Sequence, residues 1–456
     1  MNGLFYLTTL LCALVGVIEA NPHQKLATTG QFTAEQIGRP VYRDPVAHYY
    51  NTLQKHRRII PNHVFTSLQP RRKILPSHVL PSWQTGGRKP LARHIVTRNG
   101  KENGTVDVAP SEYDMEYFTM LHIGGKPDKG GKGFVVNIDT GSGDLWVAST
   151  QLPHWMTRGK NLYKPGPTAK ELKNHSWTIS YLDGSNARGN VYLDTVTFAN
   201  LTTDSQAVEA ASWISPPHVK NEIMDGVLGL AFKKVNQVRP NKQNTFFENV
   251  KDKLDRPVFT SFLKHRGAGT FDFGFLDRSK YVGDITYVPV NSSRGMWETS
   301  FQSTLIGDQA VVSEFSGLVD SGSSYILLPE AITKKYWESV PGTVFVTGYK
   351  MWKYPCAATL PNLTLHVKGY NAVIPGKHVQ YRPEGPDSKM CFGGLQGIPN
   401  KTAILGIPFL KSQFVVFDAE GPKLGFAKQS NKTVQWAPDS PQETKLAVDL
   451  KLGQRE

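Results

Sequence analysis

Two segments of this 456-residue chain carry one design, Phe134-Val-Val-Asn-Ile-Asp139-Thr-Gly-Ser142 and Ser316-Gly-Leu-Val-Asp320-Ser-Gly-Ser323. Each is an apolar run that breaks into Asp, a hydroxyl residue, Gly and Ser. Downstream, Val227-Leu-Gly229-Leu-Ala-Phe232 and Ile404-Leu-Gly406-Ile-Pro-Phe409 also match, and their glycines follow the respective aspartates by 90 and 86 residues. Motifs that recur in the same order at nearly equal spacing imply two related lobes, each delivering one Asp turn with an apolar-Gly strand close beside it. Gly229 and Gly406 lack a side chain, as close backbone approach next to such a turn requires.

The rest of the chain agrees with such an architecture. Its length exceeds one ordinary core and suggests two domains with extra segments. From about residue 105 onward, short β-rich runs such as 116–123, 134–138, 191–198 and 414–417 are separated by Gly, Pro, Asn and Asp turns. Helical stretches are few, the best being 244–254 and 329–340. The expectation is a mostly β protein without alternating strand and helix.

A lone Asp-Thr-Gly is weak evidence, because turns are rich in both Asp and Gly. Two of them, each at the end of an apolar strand and each paired with its downstream repeat, point instead to a catalytic dyad of Asp139 and Asp320. Two carboxylates a few Å apart cannot both ionise easily, so they share a proton, as is well established for paired aspartates of this kind. The ionised member takes a proton from water while the protonated one hydrogen-bonds a carbonyl oxygen, and an amide is hydrolysed without metal or covalent intermediate. Ser142 and Ser323 are candidates to donate to the outer carboxylate oxygens, and the N–H groups of Gly141 and Gly322 to hold the carboxylates. Thr140 and Ser321 are candidates to tie the lobes together beneath the dyad. Spacing alone does not decide which hydroxyl does which.

The formal charge of +14 is concentrated in residues 21–104, where fourteen Lys/Arg stand against Glu35, Asp44 and Glu102. That segment reads as a basic pro-peptide, able to cover an acidic cleft while carboxylates are ionised and to loosen when acid protonates them. The competing reading, a nucleic-acid arm, lacks aromatic interleaving. Ahead of it, residues 1–20 read as a signal peptide with an apolar run shorter than a bilayer span, a short membrane anchor being the alternative. Cys12 falls in that leader, which leaves Cys356 and Cys391 as an even pair in an oxidising compartment and an expected disulfide. A metal site is excluded there because two thiols do not supply four ligands. Sequons at Asn103, Asn174, Asn200, Asn291, Asn362, Asn400 and Asn431 are candidate glycosylation sites on surface loops.

On the two Asp motifs, together with 177–198, 225–232, Phe271-Asp-Phe-Gly-Phe275, Cys391-Phe-Gly-Gly394 and 404–427, the chain resembles the pepsin family of aspartic proteases, in particular its secreted fungal branch. The resemblance implies a bilobal, mostly β fold with a pseudo-two-fold relation between lobes and a long cleft for an extended peptide. It divides the chain into a signal (1–20), a pro-segment (21–104), an N-terminal lobe with a flap (105–290), a C-terminal lobe (291–430) and a polar tail (431–456). Tyr181 matches the flap tyrosine, and Trp146 the tryptophan whose indole holds that phenol. Asp183 matches a flap-tip acid associated with accepting Lys before the cleaved bond; a plain Asp-Gly turn is its other reading. Lys55 matches the precursor lysine that reaches the dyad, with Arg72 or Lys73 as alternatives. Maturation is expected between about Arg98 and Val106. Leu182 departs from the family's usual flap glycine, and Asp-Ser-Gly-Ser from the commoner Asp-Thr-Gly-Thr.

The function expected is therefore a secreted aspartic endopeptidase, synthesised as a zymogen and acting without cofactor or metal. Its partners would be extended protein or peptide substrates and its own pro-segment as intramolecular inhibitor, with no nucleic acid and no membrane once the signal is removed, as a monomer. A vacuolar address is the alternative location. A pepsin-fold binding protein that has lost catalysis is the rival from another class, disfavoured because both aspartates, their glycines and Tyr181 persist.

Overall fold

The computed structural model describes residues 94–96, 101–180, 186–311, 314–385, 387–399 and 402–434. The leader and nearly all of the basic segment with Lys55, the flap-tip residues Tyr181, Leu182 and Asp183, the sequon at Asn400 and most of the tail lie outside the described residues.

Strands dominate, as the turn punctuation predicts: the expected runs 134–138, 191–198 and 414–417 fall inside the strands Lys132–Asp139, Asn186–Phe198 and Gln413–Asp418, and the run 116–123 matches Tyr117–Ile123 except for Glu116. The helices are short. Thr245 opens the helix Phe246–Val250 with a reciprocal capping box to Glu248, satisfying two otherwise orphaned N–H groups, and a 3-10 turn Lys251–Lys253 ends it. The helix Glu330–Glu338 buries Ile332, Tyr336 and Trp337. Among the described residues no helix is long and apolar enough to cross a membrane.

The largest sheet joins strands from both ends of the chain. Its order runs from Tyr281–Pro289 through Lys423–Gln429, Gln413–Asp418, Val258–Lys264, Gly267–Phe273 and Glu102–Pro110 into the strands of the first lobe. The strand Glu102–Pro110 is thus an interior member, pairing Phe273↔Gly104 on one side and Pro110↔Tyr117 on the other. This corrects one expectation from the sequence: Asn103 is not on a surface loop. It is 4% exposed and its amide donates to Asp255 at 2.7 Å, leaving no room for a glycan in this fold. Asn174, Asn291, Asn362 and Asn431 are exposed, and Asn200 is half-buried.

The repeat seen in sequence is a repeat in topology. Lys132–Asp139 runs parallel to Gly226–Gly229, with Asp139↔Gly229, and Phe315–Val319 runs parallel to Thr402–Leu405, with Val319↔Leu405. In each lobe the short strand after the Asp turn, Leu145–Ala148 or Ile326–Pro329, returns antiparallel to the same partner. One apolar cluster gathers residues of both lobes, from Phe134 and Leu228 to Trp337 and Phe426, and a second packs Phe118, Trp146, Trp177 and Val191 in the first lobe. Cys356 and Cys391 form the expected disulfide, with Cα atoms 5.0 Å apart, beside the pairing Tyr354↔Cys391.

Candidate active site

Each aspartate sits where an apolar strand ends and the chain must turn before a glycine. The turn is possible because the crossing strand has no side chain there. A Cβ on Gly229 would lie 2.5 Å from the Asp144 nitrogen and 2.6 Å from the Ser142 oxygen; one on Gly406 would lie 2.2 Å from the Ser323 oxygen and 2.3 Å from the Tyr325 oxygen. The glycines also donate equivalently, Gly229 N–H to Asp144 O at 2.9 Å and Gly406 N–H to Tyr325 O at 3.1 Å. The close approach expected from sequence is therefore present twice.

The structure assigns the hydroxyls that spacing left open. Ser142 Oγ donates to Asp139 Oδ2 at 2.6 Å, and Ser323 Oγ donates to Asp320 Oδ2. Gly141 and Gly322 N–H groups each donate to the other oxygen, Oδ1, of their aspartate at 2.9 Å. Donors on both oxygens fix the plane of each carboxylate and favour its ionised form. Beneath them, Thr140 N–H donates to Ser321 Oγ at 3.0 Å and Ser321 N–H to Thr140 Oγ1 at 2.9 Å. The same hydroxyls donate onward, Thr140 to Val319 O and Ser321 to Ile138 O. Each crosses into the strand of the opposite lobe, so the missing methyl of Ser321 leaves the bridge intact.

This grip brings the two carboxylates together. A Cβ on Gly141 would lie 2.5 to 2.9 Å from the carboxyl atoms of Asp320, so the carboxylate of one lobe rests directly on the turn that holds the carboxylate of the other. Asp139 is 6% exposed and Asp320 fully buried. Two carboxyl groups are thus held across an interface of two equivalent turns, each with hydrogen-bond donors on both oxygens. The eukaryotic aspartyl protease family model matches residues 116–429. The chain belongs to the eukaryotic aspartyl proteases.

Relatives of this aspartyl protease include aspergillopepsin-1 of Emericella nidulans, 44% identical over 331 residues, 72% of this chain and 82% of the relative. Penicillopepsin-3 of Penicillium janthinellum is 41% identical over 389 residues, 85% of this chain and 89% of the relative. A probable aspartic-type endopeptidase of Trichophyton verrucosum is 38% identical over 425 residues, 92% and 97% of the two chains. The protein is accordingly a peptide hydrolase of the aspartic type, with the mostly β, bilobal pepsin-like fold.

Around the dyad of this protease, Trp146 is buried, stacked on Trp177 at 6.1 Å and edge-on to His218 at 5.3 Å. Its Nε1 has no hydrogen-bond partner among the described residues. Strands Lys170–Ser180 and Asn186–Phe198 pair up to Ser180↔Asn186, and Tyr181 and Asp183 fall between them, outside the described residues.

Sequence reasoning passed over a second carboxyl pair. Asp144, five residues past Asp139, and Glu209, in the strand Leu201–Ile214, are both buried and are bridged by one side-chain amide, Asn236 Nδ2, which donates to Asp144 Oδ1 at 3.0 Å and to Glu209 Oε1 at 2.9 Å. The available signal was a lone charged residue among the small apolar ones of Gln206-Ala-Val-Glu209-Ala-Ala, and Asp144 two residues past the end of the first motif. Burial pushes Asp144 up to about 6, against the lowering pull of the Gln237 N–H, and pushes Glu209 well above the carboxylate range, with the Asp144 charge adding to the rise.

Proposed function

We propose that this peptidase is a secreted endopeptidase, made as an inactive precursor, that hydrolyses internal peptide bonds of extended substrates at acidic pH through a water held between Asp139 and Asp320. The observation that carries the reading is the reciprocal geometry of the two Asp turns. Asp320 rests against Gly141, whose N–H holds Asp139, so a single water within reach of both carboxylates meets a base and an acid at once. The ionised carboxylate takes the proton of the attacking water as its oxygen adds to the peptide carbonyl. The protonated one hydrogen-bonds the developing oxyanion, and a proton returned to the leaving nitrogen completes hydrolysis. No group on this chain forms a covalent intermediate in that scheme.

The precursor reading rests on residues 1–20 as a removed leader and on 21–104 as a basic cover for the cleft. The lobes would comprise 105–290 and 291–430, and the tail 431–456. Because Glu102–Pro110 is an interior strand, cleavage that leaves the sheet intact falls ahead of Glu102, at the front of the expected window. Secretion, with a vacuolar address as alternative, and glycosylation at Asn174, Asn200, Asn291, Asn362, Asn400 or Asn431 follow from the leader and the sequons. The enzyme acts as a monomer without cofactor.

The test is hydrolysis of a denatured globular protein by the purified precursor from about pH 2.5 to 7, beside Asp139→Asn. The expected result is acid-triggered loss of the basic segment and cleavage that the variant lacks by at least about a hundredfold. Folded, processed protein that cleaves nothing at any pH overturns the reading in favour of a peptide-binding protein.

A further inference from the structure

The two dyad turns are supported differently behind the carboxylates. Position for position, the residue five past each aspartate is Asp144 in the first lobe and Tyr325 in the second. Tyr325 lies against the ring of Tyr381, 4.7 Å between centroids. Asp144 instead enters a sealed polar knot. The amide of Asn236 donates to Gly143 O at 3.1 Å, Asp144 Oδ1 at 3.0 Å and Glu209 Oε1 at 2.9 Å, and Gln237 N–H donates to Asp144 Oδ1 at 2.6 Å. Asn236 is in turn held from its other end, where Oδ1 accepts from Val238 and Gln243 N–H groups. Asp144, Glu209 and Asn236 are 2%, 0% and 1% exposed.

This knot holds the turn that carries Asp139. Gly143 and Asp144 are the last residues of the turn, and Asp144 O receives the N–H of Gly229, the glycine that makes room for it. One side-chain amide serves three acceptors, two of them carboxyl oxygens. Such a set is satisfied when one carboxyl keeps its proton and donates it to the other. Two ionised carboxylates there would be adjacent, out of water, and served by the same single amide.

We propose that Asp144 and Glu209, sharing one proton and bound by Asn236, are positioning residues for Asp139, and that loss of that proton sets the upper pH limit of the enzyme by releasing the first-lobe turn. The charged groups facing the unit are few. Lys242, whose Nζ donates to Asn236 O at 2.7 Å, attracts the Asp144 charge, and Asp139 repels it. Arg239 donates to the Asn236 and Val238 carbonyls on the same loop. None of these supplies Glu209 with a hydrogen bond, so its ionised form has only the shared Asn236 amide among the described residues. Burial raises both carboxyls, Asp144 to about 6 and Glu209 well above the ordinary range, which agrees with a unit that still holds a proton throughout the acid range and gives up its last one only nearer neutrality or above. The second lobe, with Tyr325 at the matching place, has no such failure point there.

The inference rests on the peptidase reading of the same site, and its test separates the two. Processed enzyme, Glu209→Gln and Asp144→Asn are compared from about pH 3 to 8, by kcat and KM on a peptide that does not titrate and by tryptophan fluorescence, which needs no catalysis. Glutamine keeps the donor of a protonated Glu209, and asparagine supplies a donor to an ionised one. In both, the alkaline fall in kcat and the fluorescence transition move up by about one pH unit or more, with kcat near pH 4 within about twofold of the parent. Folded variants with the parent's profile overturn the proposal. So does a Glu209→Gln chain that fails to fold, because an amide reproduces a protonated carboxyl. A parent without activity whose fluorescence transition still moves in the variants refutes the endopeptidase reading alone.

Discussion

Thr140 and Ser321 show how much a single hydroxyl does at this site. Each accepts the other's backbone N–H and donates its own proton to a carbonyl of the opposite lobe, four bonds in a region closed to water. Removing one hydroxyl strands a buried N–H and a buried carbonyl at once. Ser321→Ala is therefore expected to lower stability by about 2 to 3 kcal/mol in denaturant unfolding, more than one neutral hydrogen bond contributes. The four bonds divide two to each hydroxyl and all run to backbone groups, so the double change with Thr140→Ala should cost about the sum of the two single changes. Which hydroxyl bridges and which holds a carboxylate was not legible in the sequence. Thr140 and Ser142 are two positions apart on a tight turn, and only the turn's closure sends one inward and the other to Asp139.

Among the elements, one of the two four-stranded sheets described in the second lobe, the one containing Met351–Pro355 and Met390–Gly393, carries the one disulfide of the described residues. The pair was legible from cysteine count; the reason for its place was not. Strands Met351–Pro355 and Met390–Gly393 bring Cys391 opposite Tyr354, one step from Cys356, and Tyr354 stacks on Trp337 of the helix Glu330–Glu338 at 5.5 Å. The bridge closes a separation of 35 residues, for which the chain-entropy estimate is about 4 kcal/mol. Replacing both cysteines by alanine should lower the unfolding free energy by about 2 to 4 kcal/mol, while kcat is unchanged because the dyad turns lie in a different sheet. Denaturant unfolding and peptide hydrolysis on the same sample check both halves of the statement.

At the scale of the molecule, charges far apart in sequence meet where the chain's first described elements contact the second lobe. Asp114 accepts from both the Arg266 N–H and Lys411 Nζ, the latter at 3.4 Å, and His265 Nδ1 lies 2.7 Å from it. His378 packs against His265, ring centroids 4.8 Å apart, and pairs through Nδ1 with Ser412 Oγ at 2.7 Å. Ser412 gives its own proton to Pro408 O, so Nδ1 of His378 is the donor. Burial, then the neighbouring Lys411, His265 and Lys377, push His378 down to about 2, against the opposing pull of Asp114. The unfolded chain takes up this proton below about pH 6.5 and the fold refuses it, so stability is lost as pH falls from there toward 2. His378→Gln keeps a donor for Ser412 without the proton penalty. Its loss of stability between pH 7 and 3.5 should be smaller than the parent's by up to about 4 kcal/mol, read from urea unfolding at the two pH values.

The sequence alone determined the repeat, the two aspartates, the mostly β character and the cysteine pair, because each is written in local pattern: an apolar run into Asp-hydroxyl-Gly-Ser, a glycine at matching distance, turn residues between short strands. Tertiary structure decided what depends on residues brought together from distant places. Asn103 reads as a surface sequon but lies in a strand interior to the central sheet, since its neighbours there, Phe273 and Asp255, are more than 150 residues away. Glu209 reads as one charge in an apolar strand, and gains its meaning only beside Asp144 and Asn236. His378 and Asp114 share a site although 264 residues separate them. Local pattern records which faces must be buried; the partner each buried polar group finds is settled by which strands lie side by side.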